Sequence, residues 1–105
     1  MIGITELREI WLCNNSLETL PEAIGNLRNL TSLSLARNLV KSLPMELCGL
    51  IKLRSLDLQQ NSLSQLPVGF KSMTQLQQLN LAHNLFKMLP SAVTALPNLV
   101  GLTYV

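Results

Sequence analysis

The amino-acid sequence repeats one pattern with a strict period of 23 residues. One asparagine and one Leu-Pro dipeptide recur in every period, at Asn15, Asn38, Asn61 and Asn84 and at Pro21, Pro44, Pro67 and Pro90. A fixed period of this length is typical of proteins built from stacked copies of one small structural unit. Because a single unit of this size cannot bury its own leucines, neighbouring units must pack against each other to form a core.

The same frame defines the domain organisation. With 105 residues the chain is long enough for one domain. We expect a single domain over 1–105, with full repeats at 7–29, 30–52, 53–75 and 76–98 and partial repeats at 1–6 and 99–105. Neither end carries a recognisable polar or cysteine-rich cap, and the last strand is expected to present an unpaired apolar edge. We therefore expect either a fragment of a longer array or an array that associates end to end.

Each repeat contains two patterns of apolar residues. Pairs such as Leu33 and Leu35 alternate with polar residues, which predicts a strand with one buried face. After the Leu-Pro step, apolar residues such as Leu47 and Leu50 follow three apart, which predicts a short helical return segment. Proline fixes φ and suits the first turn of such a segment. The recurring asparagine lies where the chain leaves the strand, and its amide is predicted to satisfy backbone groups of the turn.

The full frame, L-x-x-L-x-L-x-x-N-x-L-x-x-L-P-x-x-[ILVF]-x-x-L, resembles the leucine-rich-repeat family over essentially the whole chain. The second repeat fits it with Leu30, Leu33, Leu35, Asn38, Val40, Leu43, Pro44, Leu47 and Leu50. The resemblance implies an α/β solenoid with a parallel β-sheet on its concave face and short helical or 3-10 segments on its convex face. The 23-residue Leu-Pro type is similar to repeats of intracellular Ras-pathway and cell-polarity scaffolds, and to some plant and bacterial repeats.

Function is expected from that resemblance. It implies a non-enzymatic module that binds a protein or peptide on the concave face, as part of a longer signalling or scaffold array. The alternative is a structural spacer that positions a neighbouring catalytic or signalling domain. A third possibility, an extracellular pattern receptor, would require cysteine caps and a signal peptide.

The strand positions that face away from the core supply the candidate binding residues. We predict that the partner is bound by Glu9, Trp11, Ser34, Arg37, Asp57, Gln78, Asn80 and His83. Trp11 is the leading candidate because tryptophan is favoured at binding hot spots, although it could instead shield the first repeat. Asp57 and Asn80 occupy one row, about 4.8 Å apart, and are expected to act together. The next row, comprising Cys13, Ala36, Gln59 and Ala82, is also expected to reach this face.

Catalysis is not expected. Cys13 and His83 lie three strands apart in this frame, roughly 14 Å, which is too far for a nucleophile and its base. One histidine and two cysteines on different faces cannot supply a zinc site, and no phosphate-binding glycine motif is present. We expect no catalytic residue, no metal and no cofactor.

Charge argues against two other classes of partner. Charged residues make up 13% of the chain, and the net charge is only +2. The basic residues fall in different rows with no aromatic platform, so nucleic acid is not an expected partner. No apolar run reaches the roughly 18 residues of a membrane span, and no signal peptide is visible. Cys13 and Cys48 are expected on opposite faces as free thiols, which favours a cytoplasmic location.

Overall fold

A computed structural model describes residues 6–104 of the chain. Within that range five short strands form one parallel sheet in sequence order: β1 (Glu9–Trp11), β2 (Ser32–Ser34), β3 (Ser55–Asp57), β4 (Gln78–Asn80) and β5 (Gly101–Thr103). Every strand falls at the same place in its repeat. The predicted solenoid with a parallel sheet is therefore confirmed.

The register of the sheet follows the sequence period. Leu33 at the centre of β2 pairs with Leu56 of β3, which in turn pairs with Leu79 of β4. These three leucines are at most 2% exposed, whereas the residues on either side of them point to the opposite face. Each strand is only three residues long, so one buried leucine divides two outward positions.

The return segments are short helices on the other side of the core. Three are 3-10 helices and the fourth is a single α-helical turn: Glu22–Asn26, Met45–Gly49, Val68–Ser72 and α1 (Ser91–Thr94). The repeated proline immediately precedes each helix instead of lying in its first turn. Pro44, for example, has an extended ψ of 151°, and its carbonyl oxygen accepts the N–H of Leu47 at 3.1 Å. Proline thus turns the chain into the helix and supplies its first acceptor.

A continuous core fills the space between sheet and helices. Its centre is closed to solvent, since Leu30, Leu53, Phe70 and Leu76 are all 0% exposed. Toward the two ends of the described range burial falls, and Leu102 in β5 is 40% exposed. End-to-end association remains a prediction.

The asparagine row links each repeat to the one before it. The Asn61 side chain donates from Nδ2 to the carbonyl oxygens of Leu35 and Leu58, while its Oδ1 accepts the N–H of Val40. Asn38 and Asn84 repeat this pattern, which confirms their predicted structural role. Among the described residues no buried side-chain nitrogen or oxygen lacks a hydrogen-bond partner. None of the helices within 6–104 has the length and apolar character needed to cross a membrane.

Candidate protein-binding face

Two rows of outward-pointing strand residues make up the concave face. The first row consists of Glu9, Ser32, Ser55, Gln78 and Gly101, and the second of Trp11, Ser34, Asp57, Asn80 and Thr103. Neighbours within a row are paired in register, so they lie about 4.8 Å apart. Since the core is formed by the leucines between the rows, much of this face is left for contacts outside the chain.

At the β1 end the face carries one large aromatic residue. The Trp11 side chain is 68% exposed. Its neighbour in register, Ser34, is only 4% exposed, and the Ser34 hydroxyl lies 2.9 Å from the Cys13 sulfur. The prediction that Ser34 contacts a partner is therefore not supported, because its short side chain is covered and its hydroxyl is engaged within the protein.

The exposure of the next row, Cys13, Ala36, Gln59 and Ala82, also differs from the prediction. Ala36 and Ala82 were expected on the binding face, but they are 4% and 3% exposed. Each strand ends two residues earlier, so the backbone has changed direction at these positions. Cys13 and Gln59 in the same row are partly exposed. The concave face is consequently narrower than the sequence frame predicts.

Asp57 and Asn80 are brought together in register on β3 and β4. The Asp57 carboxylate accepts the backbone N–H of Gln59 at 3.1 Å, and the Asn80 Oδ1 accepts the N–H of Ala82 at 3.0 Å. In each case one side-chain oxygen caps the end of a strand. That bond fixes the side chain and leaves the second Asp57 oxygen and the Asn80 Nδ2 group for other contacts.

A shallow groove surrounds this pair on β3 to β5. Its polar lining comprises Ser55, Asp57, Gln78, Asn80 and Thr103. The groove also includes Gly101, over which the Gln78 side chain lies, so that a β-carbon at residue 101 would collide with the Gln78 amide oxygen. Ser55 and Thr103 were absent from the predicted binding residues, although their membership of the two outward rows was a sufficient signal.

Arg37 and His83 lie beside the concave face, at a bend that follows the strands. Both have a positive φ, 59° and 57°, as do Asn14 and Gln60 at the equivalent positions. The Arg37 Nε donates to the Gln60 Oε1 at 2.9 Å, which ties adjacent bends together. None of the four residues is glycine, although asparagine and histidine adopt this region more readily than arginine and glutamine do.

His83 is separated from the groove around Asp57. It lines another recess, together with Phe86, Lys87 and Tyr104. The rings of Phe86 and Tyr104 are 6.4 Å apart between centroids and form one side of that recess. The predicted binding residues therefore fall into three places: Glu9 and Trp11 on β1, the groove on β3 to β5, and the bends that carry Arg37 and His83.

The cysteines show no reactive arrangement. Both thiols are free; Cys13 is partly exposed, whereas Cys48 is buried on the convex helix Met45–Gly49. Burial raises the pKa of the Cys48 thiol. Within residues 6–104 no three His, Cys, Asp or Glu side chains are grouped to hold a metal ion.

Comparison with known proteins identifies the family. The family profile described as "leucine-rich repeat region" matches residues 2–105, so the chain belongs to the leucine-rich-repeat family. This fold is generally a protein–protein interaction module, and the family is typically non-enzymatic. A comparison with curated proteins gave no match.

Many solved structures share the fold, including the three that follow. A leucine-rich-repeat protein of Leptospira interrogans is 33% identical, with a TM-score of 0.84, over 94% of this chain and 26% of its own. The ectodomain of the Arabidopsis thaliana receptor kinase SOBIR1 is 32% identical, with a TM-score of 0.79, over 95% of this chain and 56% of its own. The plant peptide hormone receptor RGFR1, solved in complex with RGF2, is 27% identical, with a TM-score of 0.83, over 95% of this chain and 17% of its own. The chain thus spans 17% to 56% of these structures.

Proposed function

We propose that this chain is a recognition module that binds an extended protein or peptide segment across its concave face. The observation that carries the proposal is the division of roles along each strand. The central leucine builds the core, whereas side chains such as Trp11 and Gln78 point outward and are exposed. RGFR1, a structure of the same fold, was solved with RGF2 bound.

The size of the face adds a second element to the proposal. Five strands about 4.8 Å apart span roughly 20 Å, which provides less than the roughly 800 Å² per partner of a standard interface. We infer that the face contributes part of a larger binding surface in a longer signalling or scaffold array. Cytoplasmic location is part of this proposal and is supported by the two free cysteines.

A matched pair of variants tests the use of the concave face. Trp11→Ala/Gln78→Ala removes two exposed concave side chains, whereas Met45→Ala/Val68→Ala removes two exposed side chains from convex helices. Met45 and Val68 are 65% and 83% exposed, and Trp11 and Gln78 are exposed as well, so neither pair of substitutions disturbs the core. The probe is a set of peptides selected on the unaltered chain from a random 16-residue library, with affinity measured by fluorescence polarisation.

The concave variant should weaken binding by about tenfold, as expected when a tryptophan hot spot is removed. The convex variant should bind as the unaltered chain does. An equal loss of affinity in both variants, or a loss of affinity confined to the convex variant, would contradict the proposal. A structural spacer would yield no peptide that is sensitive to the concave substitutions.

A further inference from the structure

The groove on β3 to β5 contains a single charged side chain. Of the residues that line it, only Asp57 is ionisable, and the others are serine, glutamine, asparagine, threonine, glycine and aliphatic residues. Asp57 is partly buried. A carboxylate in a recess of neutral groups has an attraction for cations that the lining itself does not satisfy.

The Asp57 carboxylate has one oxygen available. Its other oxygen accepts the N–H of Gln59, and this bond holds the side chain in place. On the adjacent strand the Asn80 Oδ1 is occupied by the N–H of Ala82, which leaves Nδ2 as a donor. An acceptor with a negative charge and a neutral donor therefore lie side by side, about 4.8 Å apart at the backbone.

The basic residues closest in the repeat frame are directed elsewhere. Arg37, on the bend after β2, donates from Nε to Gln60. Lys52 donates from Nζ to Asn29, and Arg54, one residue before β3, does not line the groove. Cationic side chains of the described residues therefore leave the charge of Asp57 to be paired by a ligand.

Resting on the proposed function, we propose that this groove binds a lysine or arginine side chain of an extended peptide. The basic group pairs with the free oxygen of Asp57, and the Asn80 Nδ2 donates to a main-chain carbonyl oxygen beside it. A charge-assisted hydrogen bond of this kind is stronger than a neutral one. Because the carboxylate is already held in place, less conformational entropy is lost on binding. The partner is thus a peptide segment with a basic residue.

The test uses peptides selected on the unaltered chain from a random 16-residue library. The affinity of one selected peptide is measured for the unaltered chain and for the variants Asp57→Asn and Glu46→Gln, at low and high salt. Asp57→Asn retains an oxygen for the Gln59 N–H, so the strand cap survives while the charge is lost. Glu46→Gln removes the same charge from an exposed residue of the convex helix Met45–Gly49, outside the concave face, and serves as the matched control.

We expect lysine or arginine at one fixed position of the selected peptides. Asp57→Asn should weaken binding about tenfold, with a smaller effect at high salt, while Glu46→Gln changes affinity less than about twofold. Replacing that basic residue with norleucine should weaken binding to the unaltered chain and have little further effect on Asp57→Asn.

The other outcomes are distinct. Peptides that bind Trp11→Ala/Gln78→Ala more weakly but bind Asp57→Asn as tightly as the unaltered chain would overturn this inference and leave the proposed function standing. Equal losses of affinity in Asp57→Asn and Glu46→Gln would also overturn it, because they would show general charge attraction and no specific pairing. Selected peptides that bind only the convex side would overturn both proposals.

Discussion

The Nδ2 group of Asn61 donates to the carbonyl oxygen of Leu35, 26 residues earlier in the chain, at a distance of 2.9 Å. The same amide accepts the N–H of Val40 through Oδ1 at 3.0 Å. Because both partners belong to the preceding repeat, one side chain satisfies a donor and an acceptor across the repeat junction. Hydrogen bonding at these junctions therefore adds to the packing of leucines in holding the stack together.

Replacing Asn61 with Ala should lower the free energy of unfolding by about 1–3 kcal/mol, because buried backbone groups lose their partners. Asn15 provides the matched control: it is exposed, and the hydrogen bonds described for it reach only Leu12 and Cys13 of its own repeat. Asn15→Ala should cost less than about 1 kcal/mol. Urea denaturation followed by circular dichroism measures both values, and equal losses would show that the inter-repeat bonds are unimportant.

The left-handed bend at His83 leads to a second prediction about stability. With φ at 57°, a β-branched residue is strained there, whereas glycine is not. His83→Val should destabilise the protein by about 1–2 kcal/mol, while His83→Gly should stay within about 1 kcal/mol of the unaltered chain. His83 is exposed, so lost packing does not complicate the comparison. A higher midpoint of thermal unfolding for His83→Val than for His83→Gly would contradict the assigned backbone conformation.

The two cysteines should react with thiol reagents at different rates. Burial raises the pKa of the Cys48 thiol, which lowers its thiolate fraction near pH 8. Gly69 packs against this thiol, so that a β-carbon at residue 69 would lie 3.4 Å from the Cys48 sulfur. Cys13 is partly exposed. A chromogenic disulfide reagent should therefore label one thiol rapidly and the other slowly.

Cys13→Ser should remove the rapid phase, and Cys48→Ser should remove the slow one. Since the raised pKa keeps Cys48 protonated, raising the pH above the usual thiol range should accelerate the slow phase. Rapid labelling of the Cys13→Ser variant under native conditions would show that the helix Met45–Gly49 does not bury its thiol.

Most of the architecture could be predicted because the sequence repeats it four times. The period predicts that Leu33 lies beside Leu56 and that Asn38 and Asn61 form one row. In the structure Leu33 pairs with Leu56, and the two asparagine side chains both donate to the Leu35 carbonyl oxygen. Features that depend on one particular neighbour could not be read from the period. Ser34 occupies an outward position, yet it is buried, with its hydroxyl against Cys13.

Local backbone geometry also does not follow from the repeat. The residue before each asparagine is left-handed, but Arg37 and Gln60 are not residue types that favour that region. At both positions the backbone N–H donates to the next repeat, Arg37 to the Gln59 carbonyl oxygen and Gln60 to that of Ala82. The groove around Asp57 was also hidden, since it depends on the absence of a side chain at Gly101 and on the position of Gln78.

Nuclear magnetic resonance can show directly whether a partner binds on the concave face. A 15N-labelled chain is titrated with a library-selected peptide, and backbone shifts are mapped together with the Trp11 indole N–H. We expect the largest shifts on β3 to β5 around Asp57 and Asn80 and on the Trp11 indole, with the convex helices unaffected. Shifts concentrated on the helices Met45–Gly49 and Val68–Ser72, with the strands unchanged, would contradict it.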